Sequence, residues 1–171
     1  MGDPPGVVVL FGPKAVGKST IARLLQQYGG VYHVDPDALV LTLIAAGGQP
    51  DPDTGWLHPV EQAVRVALLL HHRWVAVEAT GAWESDWALV DNLERSGTRV
   101  VRVWVVAPLQ TTLERLAERT EPTVRISEQE ARRVFMAASA RAANERIDAV
   151  IDSGADDPLR AALGLLDLLS S

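Results

Sequence analysis

Cysteine is absent from the 171 residues, which excludes a disulfide framework, a thiolate metal site and a cysteine nucleophile. Lysine is nearly absent: of sixteen Lys plus Arg, only Lys14 and Lys18 are lysine. No apolar run approaches the roughly 18 residues of a membrane-spanning helix. The opening Met1-Gly2-Asp3-Pro4-Pro5-Gly6 lacks the basic segment and apolar core of a secretory signal. The expectation is a cytoplasmic protein with no membrane partner. Positive charge is also in deficit. A net charge of −6 works against a long polyanion, so nucleic acid is not an expected partner. What remains is 47% apolar and 22% charged residues, the composition of a globular protein, at a length suited to one domain over residues 1–171.

Both lysines fall in one stretch, Gly12-Pro13-Lys14-Ala15-Val16-Gly17-Lys18-Ser19, followed by Thr20. The spacing is that of the phosphate-binding loop G-x-x-x-x-G-K-[ST]. Its setting is as telling as its pattern. Residues 7–11 are a short apolar run suited to a buried strand, and Ile21, Leu24, Leu25 and Tyr28 then recur at helical spacing. Glycines let backbone N–H groups turn inward around a phosphate, and a helix N-terminus adds partial positive charge. Lys18 is placed to reach the β- and γ-phosphates of a nucleotide, and the Ser19 hydroxyl to bind Mg²⁺. Arginine serves wherever a generic cation suffices, and lysine stands where a compact point charge is wanted.

Five short apolar runs read as strands: residues 7–11, 31–34, 74–79, 100–106 and 149–151. Most are continuous, as in parallel strands buried on both faces, and helical stretches alternate with them. Gly29-Gly30 stops the first helix. Asp35 is the expected N-cap of the second, with Pro36 at its first position. Asp51-x-Asp53-x-Gly55 has the start of a calcium loop, but Gln62 stands where the twelfth-position Glu belongs, so this stretch reads as a surface loop or substrate flap before a helix opened by Pro59. Ser127 and Glu130 are spaced as a capping box. His58, His71 and His72 are expected in structural roles, and Trp56, Trp83 and Trp87 in packing rather than in an aromatic substrate pocket.

In element order over nearly the whole chain, and specifically in the loop, the sequence resembles the small P-loop kinases, a group holding nucleoside monophosphate kinases, shikimate and gluconate kinases and chloramphenicol phosphotransferase. Polynucleotide kinase and zeta-toxin domains are similar in outline. The resemblance implies a three-layer α/β fold, a five-stranded parallel sheet with helices on both faces and a short lid near residues 119–127. It implies ATP and Mg²⁺ as cofactors and transfer of the γ-phosphoryl group to a small-molecule acceptor, through a hydroxyl. Residues 12–20 would bind the nucleotide, together with Arg115 and Arg119. Asp35-x-Asp37 is similar to the acidic pair near Mg²⁺ and substrate in shikimate kinases, and Asp37-Ala38-Leu39 to the segment bearing the catalytic aspartate of chloramphenicol phosphotransferase. Asp37 is accordingly the expected base, Asp35 with Ser19 the expected Mg²⁺ ligands, and Lys18, Arg119 and Arg125 the catalytic cations. Asp35 also suits a helix cap alone. Glu78 is either an aid to metal or substrate, or a paired acid at a strand end. Asp152-Ser153-Gly154 is expected beside the adenine base. Two other readings stay open: a nucleoside or nucleotide kinase, and a non-catalytic nucleotide-binding or regulatory module.

Overall fold

The structure, a computed structural model, describes residues 5–120 and 125–171. Residues 121–124, in the middle of the expected lid, lie outside the described residues. Strands β1 (Gly6–Phe11), β2 (Tyr32–Val34), β3 (Trp74–Ala79), β4 (Arg99–Val106) and β5 (Ala149–Asp152) form one all-parallel sheet in the order β2-β3-β1-β4-β5. The helices are α1 (Lys18–Gly29), α2 (Pro36–Ala45), α3 (Leu57–Leu69), α4 (Glu84–Arg95), α5 (Leu109–Glu118), α6 (Glu128–Ala142) and α7 (Pro158–Ser170).

Every residue of β1 is buried, because helices cover both faces of the sheet. Val8 and Leu10 pack into a core with Ile21, Ala22 and Leu25 of α1 and Ala162, Leu165 and Leu169 of α7. Val7, Val9 and Phe11 face the other way, toward Val64 of α3 and Trp87, Val90 and Leu93 of α4. The period of two along the strand thus sorts a continuous apolar run into two cores. Trp87 is a core residue: its ring stacks on Phe11 with centroids 4.2 Å apart, and its Nε1 donates to Gly81 O at 3.0 Å.

Several boundaries differ from the sequence reading. Val31 is buried but precedes β2, because its N–H is turned back to Leu25 O in the closing turn of α1. Helix α3 begins at Leu57, two residues before Pro59. A proline in a first turn costs no intrahelical hydrogen bond, so Pro59 does not have to be the opening residue. Trp83 precedes α4 as its N-cap. Asp35 caps α2 by accepting from Ala38 N at 3.2 Å, and Ser127 caps α6 by accepting from Glu130 N at 3.1 Å. Among the described residues, no helix is long and apolar enough to cross a membrane.

Leu25 is fully buried between α1 and the sheet. Leu25→Ala should lower unfolding stability by about 2–5 kcal/mol. Urea titration should show an earlier midpoint with little change in slope.

Candidate active site

Strand register decides what stands beside the loop that follows β1. Leu10 pairs with Glu78 and Phe11 with Ala79, so Glu78 lies next to the chain entering Gly12. Val34 pairs with Val77, which sets Asp35 level with Glu78 on the next strand out. These carboxyl ends are where open parallel sheets bind ligands.

The loop is wound tightly. Gly12 has φ 152°, and a Cβ there would stand 2.4 Å from Val105 O, so no other residue fits. Gly17 has φ 105° and caps α1, and Ala15 is also in the left-handed region at φ 64°. A non-glycine residue held there costs free energy, and such strain gathers at ligand clamps. Lys18 folds back into the loop, its Nζ donating to Gly12 O at 2.7 Å and Pro13 O at 2.9 Å. Burial pushes its pKa down, against the opposing pull of the Glu78 carboxylate.

Around this cation the acids are individually engaged. Glu78 accepts from Ser19 Oγ at 2.9 Å through Oε2, and its Oε1 lies 2.9 Å from His33 Nε2. Burial alone would raise the Glu78 carboxyl, but the His33 and Ser19 hydrogen bonds and the Lys18 charge outweigh it and hold it below the ordinary carboxylate value. Asp37, in the first turn of α2, pairs with Lys14 Nζ at 2.9 Å. Asp86 is driven up by burial, although its Oδ2 accepts from Thr80 Oγ1 at 2.7 Å, Gly81 N at 2.8 Å and Trp83 N at 3.3 Å. It ties the turn between β3 and α4 together.

A cavity of about 1280 Å³ joins these groups. Its lining includes Lys14, Lys18, Ser19, Thr20, Asp35, Asp37, Glu78, Arg115, Arg119 and Ser153. Gly12, Pro13 and Val16 are buried in the body of the loop. Arg125 is exposed and not among the described lining residues. Arg115 is anchored, donating to Ser153 O at 2.9 Å and Ser153 Oγ at 3.1 Å, while Ser153 Oγ donates to Val16 O. Asp53, Thr54, Gly55 and Trp56 also line the cavity, so the loop before α3 is one of its walls, and Trp56 and Trp83 face ligand space. Asp51 holds that loop by accepting from Asp53 N, Thr54 N and Thr54 Oγ1.

His33 and Asp86 are site residues that are not singled out from the sequence alone. His33 sits in a three-residue strand too short to show alternation. Asp86 did leave a signal, since an acid at the third helical position is the capping-box place.

The fold is that of solved small P-loop kinases, and residues 12–19 carry the phosphate-loop pattern. The structure resembles the Deinococcus radiodurans tunicamycin resistance protein (TM-score 0.69, 19% identity, covering 96% of this chain and 95% of that one). It also resembles an Acinetobacter baumannii shikimate kinase in complex with shikimate (TM-score 0.64, 19% identity, 97% and 93% covered). A third likeness is to the Mycobacterium tuberculosis APS kinase CysC in complex with AMPPNP and APS (TM-score 0.64, 21% identity, 99% and 100% covered). In sequence, residues 7–144 match the family model described as AAA domain, and the chain belongs to that family. No curated protein matches it.

The depressed Glu78 carboxyl has a consequence for pH. A folded pKa below the unfolded value stabilises the native state in full above the ordinary value of 4.5, and this stabilisation is lost as pH falls through the folded value. Wild type should therefore lose its stability advantage over Glu78→Gln as urea titrations move from neutrality to about pH 3. An advantage unchanged over that range would contradict the pairing.

Proposed function

We propose that the protein is an ATP-dependent phosphotransferase that moves a γ-phosphoryl group onto a hydroxyl of a small molecule. One observation carries this reading: Lys18, the Ser19–Glu78 pair and Asp37 all open into a single cavity of about 1280 Å³. That exceeds the roughly 300–1,000 Å³ of a site for one drug-sized ligand, leaving room for nucleotide and acceptor together. The same arrangement agrees with the fold shared with the kinases named above.

The loop amides and the start of α1 would cradle the β- and γ-phosphates. Lys18 would exchange loop carbonyls for phosphate oxygens and oppose the charge that builds as transfer proceeds. Arg119, at the end of α5, would add positive charge from its place in the cavity lining. Arg115 steadies the Ser153 turn, where the adenine base would lie. Arg125 would join only from across residues 121–124, which lie outside the described residues.

The donor set fits Mg²⁺. No group of three His, Cys, Asp or Glu side chains able to cage a metal exists among the described residues. Mg²⁺ typically takes one or two protein oxygens, with water and phosphate completing the shell. Ser19 Oγ and Glu78 Oε2, 2.9 Å apart, supply such oxygens, with Asp35 on the neighbouring strand end as a further one. When bound, the ion neutralises phosphate charge.

Asp37 is the proposed base. Lys14 fixes its carboxylate at the cavity, where it would take the hydroxyl proton as the acceptor oxygen bonds to the γ-phosphorus and the bond to ADP breaks. His33 would hold Glu78 in the orientation that leaves Oε2 for Ser19.

Turnover can be sought by following ATP consumption against sugars, nucleosides, antibiotics and shikimate-like acids. With an active acceptor, Lys18→Ala should cost about 10²-fold or more in transfer. Asp37→Asn should cost about 10²–10⁴-fold with little change in ATP affinity. A fully active Asp37→Asn enzyme would remove Asp37 as the base. Glu78→Gln and Asp35→Asn are expected to shift the Mg²⁺ dependence, the former more strongly.

A further inference from the structure

Charge in the cavity is divided by element. Its cationic lining side chains, Lys14, Lys18, Arg23, Arg115 and Arg119, come from the loop, α1 and α5. The opposite wall is built from α2, residues 53–56, the start of α3 and the start of α4. Among the described lining residues, that wall contributes no Lys, Arg or His. It presents Val40, Leu41, Trp56, Leu57, Trp83 and Leu89, with the carboxylates of Asp53 and Glu84 beside them. Neighbouring cations are committed to acids: Lys14 to Asp37, and Arg141 to Glu84 at 2.7 Å and Glu145 at 3.3 Å.

An acceptor in front of the loop must rest on this wall. A carboxylate or phosphate pressed there would give up water, gain no counter-charge from the described side chains of that wall and meet acids. A ring or alkyl face would instead cover tryptophan and leucine surface. A protonated amine would find the Asp53 carboxylate and indole faces suited to a cation. We infer that the acceptor is a hydroxyl compound with an apolar or ring face and no anionic group. This rests on the phosphotransferase reading for the hydroxyl and for which end of the cavity the nucleotide takes.

The probes are benzyl alcohols carrying a para hydroxymethyl, aminomethyl or carboxylate group, which share shape and differ in charge. Their binding to the full chain with Mg²⁺ and AMPPNP is measured by ligand-observed NMR titration. The hydroxymethyl and aminomethyl compounds should bind about tenfold or more tightly than the carboxylate. Trp56→Ala should weaken the hydroxymethyl compound several-fold, and Leu41→Arg, which installs the missing cation on partly exposed α2, should narrow or reverse the gap to the carboxylate. The inference is overturned if the wild-type protein takes the carboxylate equally well, if none of the three binds, if the probes compete with AMPPNP, or if a folded Leu41→Arg protein leaves the gap unchanged. AMPPNP affinity is titrated separately. A failure to bind nucleotide would count against the phosphotransferase reading, whereas the rank of the three probes decides the acceptor class.

Discussion

The constraint on which the site depends is the burial of one ammonium group. Lys18 is 8% exposed, and a buried charge is costly unless it is paired or hydrogen-bonded. Its hydrogen bonds come from the loop's own carbonyls, Gly12 O and Pro13 O, which can point inward only because the chain turns sharply at Gly12. That turn in turn needs β1 held between β3 and β4, since Gly12 N donates to Ala79 O on one side and Val105 O crowds it on the other. Sheet, turn and cation are therefore one structure. A side chain at Gly12 would strike β4 and disturb the carbonyls that hold Lys18.

The acids answer the same charge at different ranges. Glu78, Asp37 and Asp86 each favour the charged form of Lys18, yet none of the three hydrogen-bonds to it. Each is held by another group: Glu78 by His33 and Ser19, Asp37 by Lys14, Asp86 by the turn after β3. The ammonium is thus kept in place by neutral carbonyls and compensated by charges one group removed. An incoming phosphate would not have to break a direct salt bridge to reach it.

Much of this frame was legible in the chain. The loop was plain because spacing, strand and helix agreed, and the five strands because parallel strands buried on both faces leave uninterrupted apolar runs such as Val7-Val8-Val9-Leu10-Phe11. The partnership of Ser19 with Glu78 was not legible. It follows from the pairing of Leu10 with Glu78, and register between strands 68 residues apart is written in no local pattern. Asp35 was recognisable as a helix cap because Pro36 follows it, whereas the nearer acid to Ser19 could emerge only from the sheet order that puts β3 between β1 and β2. Trp56, Trp83 and Trp87 looked alike in sequence. Trp87 stacks in the core, while the other two lie on loops that curve over the cavity, a difference set by tertiary packing.

The site is stabilised by the rest of the molecule rather than by itself. Lys18 and Asp86 both sit where burial disfavours their charged forms, and Ala15 adds a left-handed backbone. Each would relax in a looser structure, so the two apolar cores must hold the loop in a geometry it would not keep alone. An anion bound at the loop would offset the burial of Lys18 directly, because it favours the ammonium that burial disfavours. Binding energy at such a site goes partly into relieving strain already stored. The arrangement also disfavours exchanging the lysine for arginine. The pocket between Gly12 O and Pro13 O takes a compact three-donor ammonium at the end of a flexible stem, whereas a planar guanidinium is larger and directs its donors in a fixed fork. In a chain that otherwise uses arginine throughout, both lysines lie in this loop, where geometry favours the smaller head.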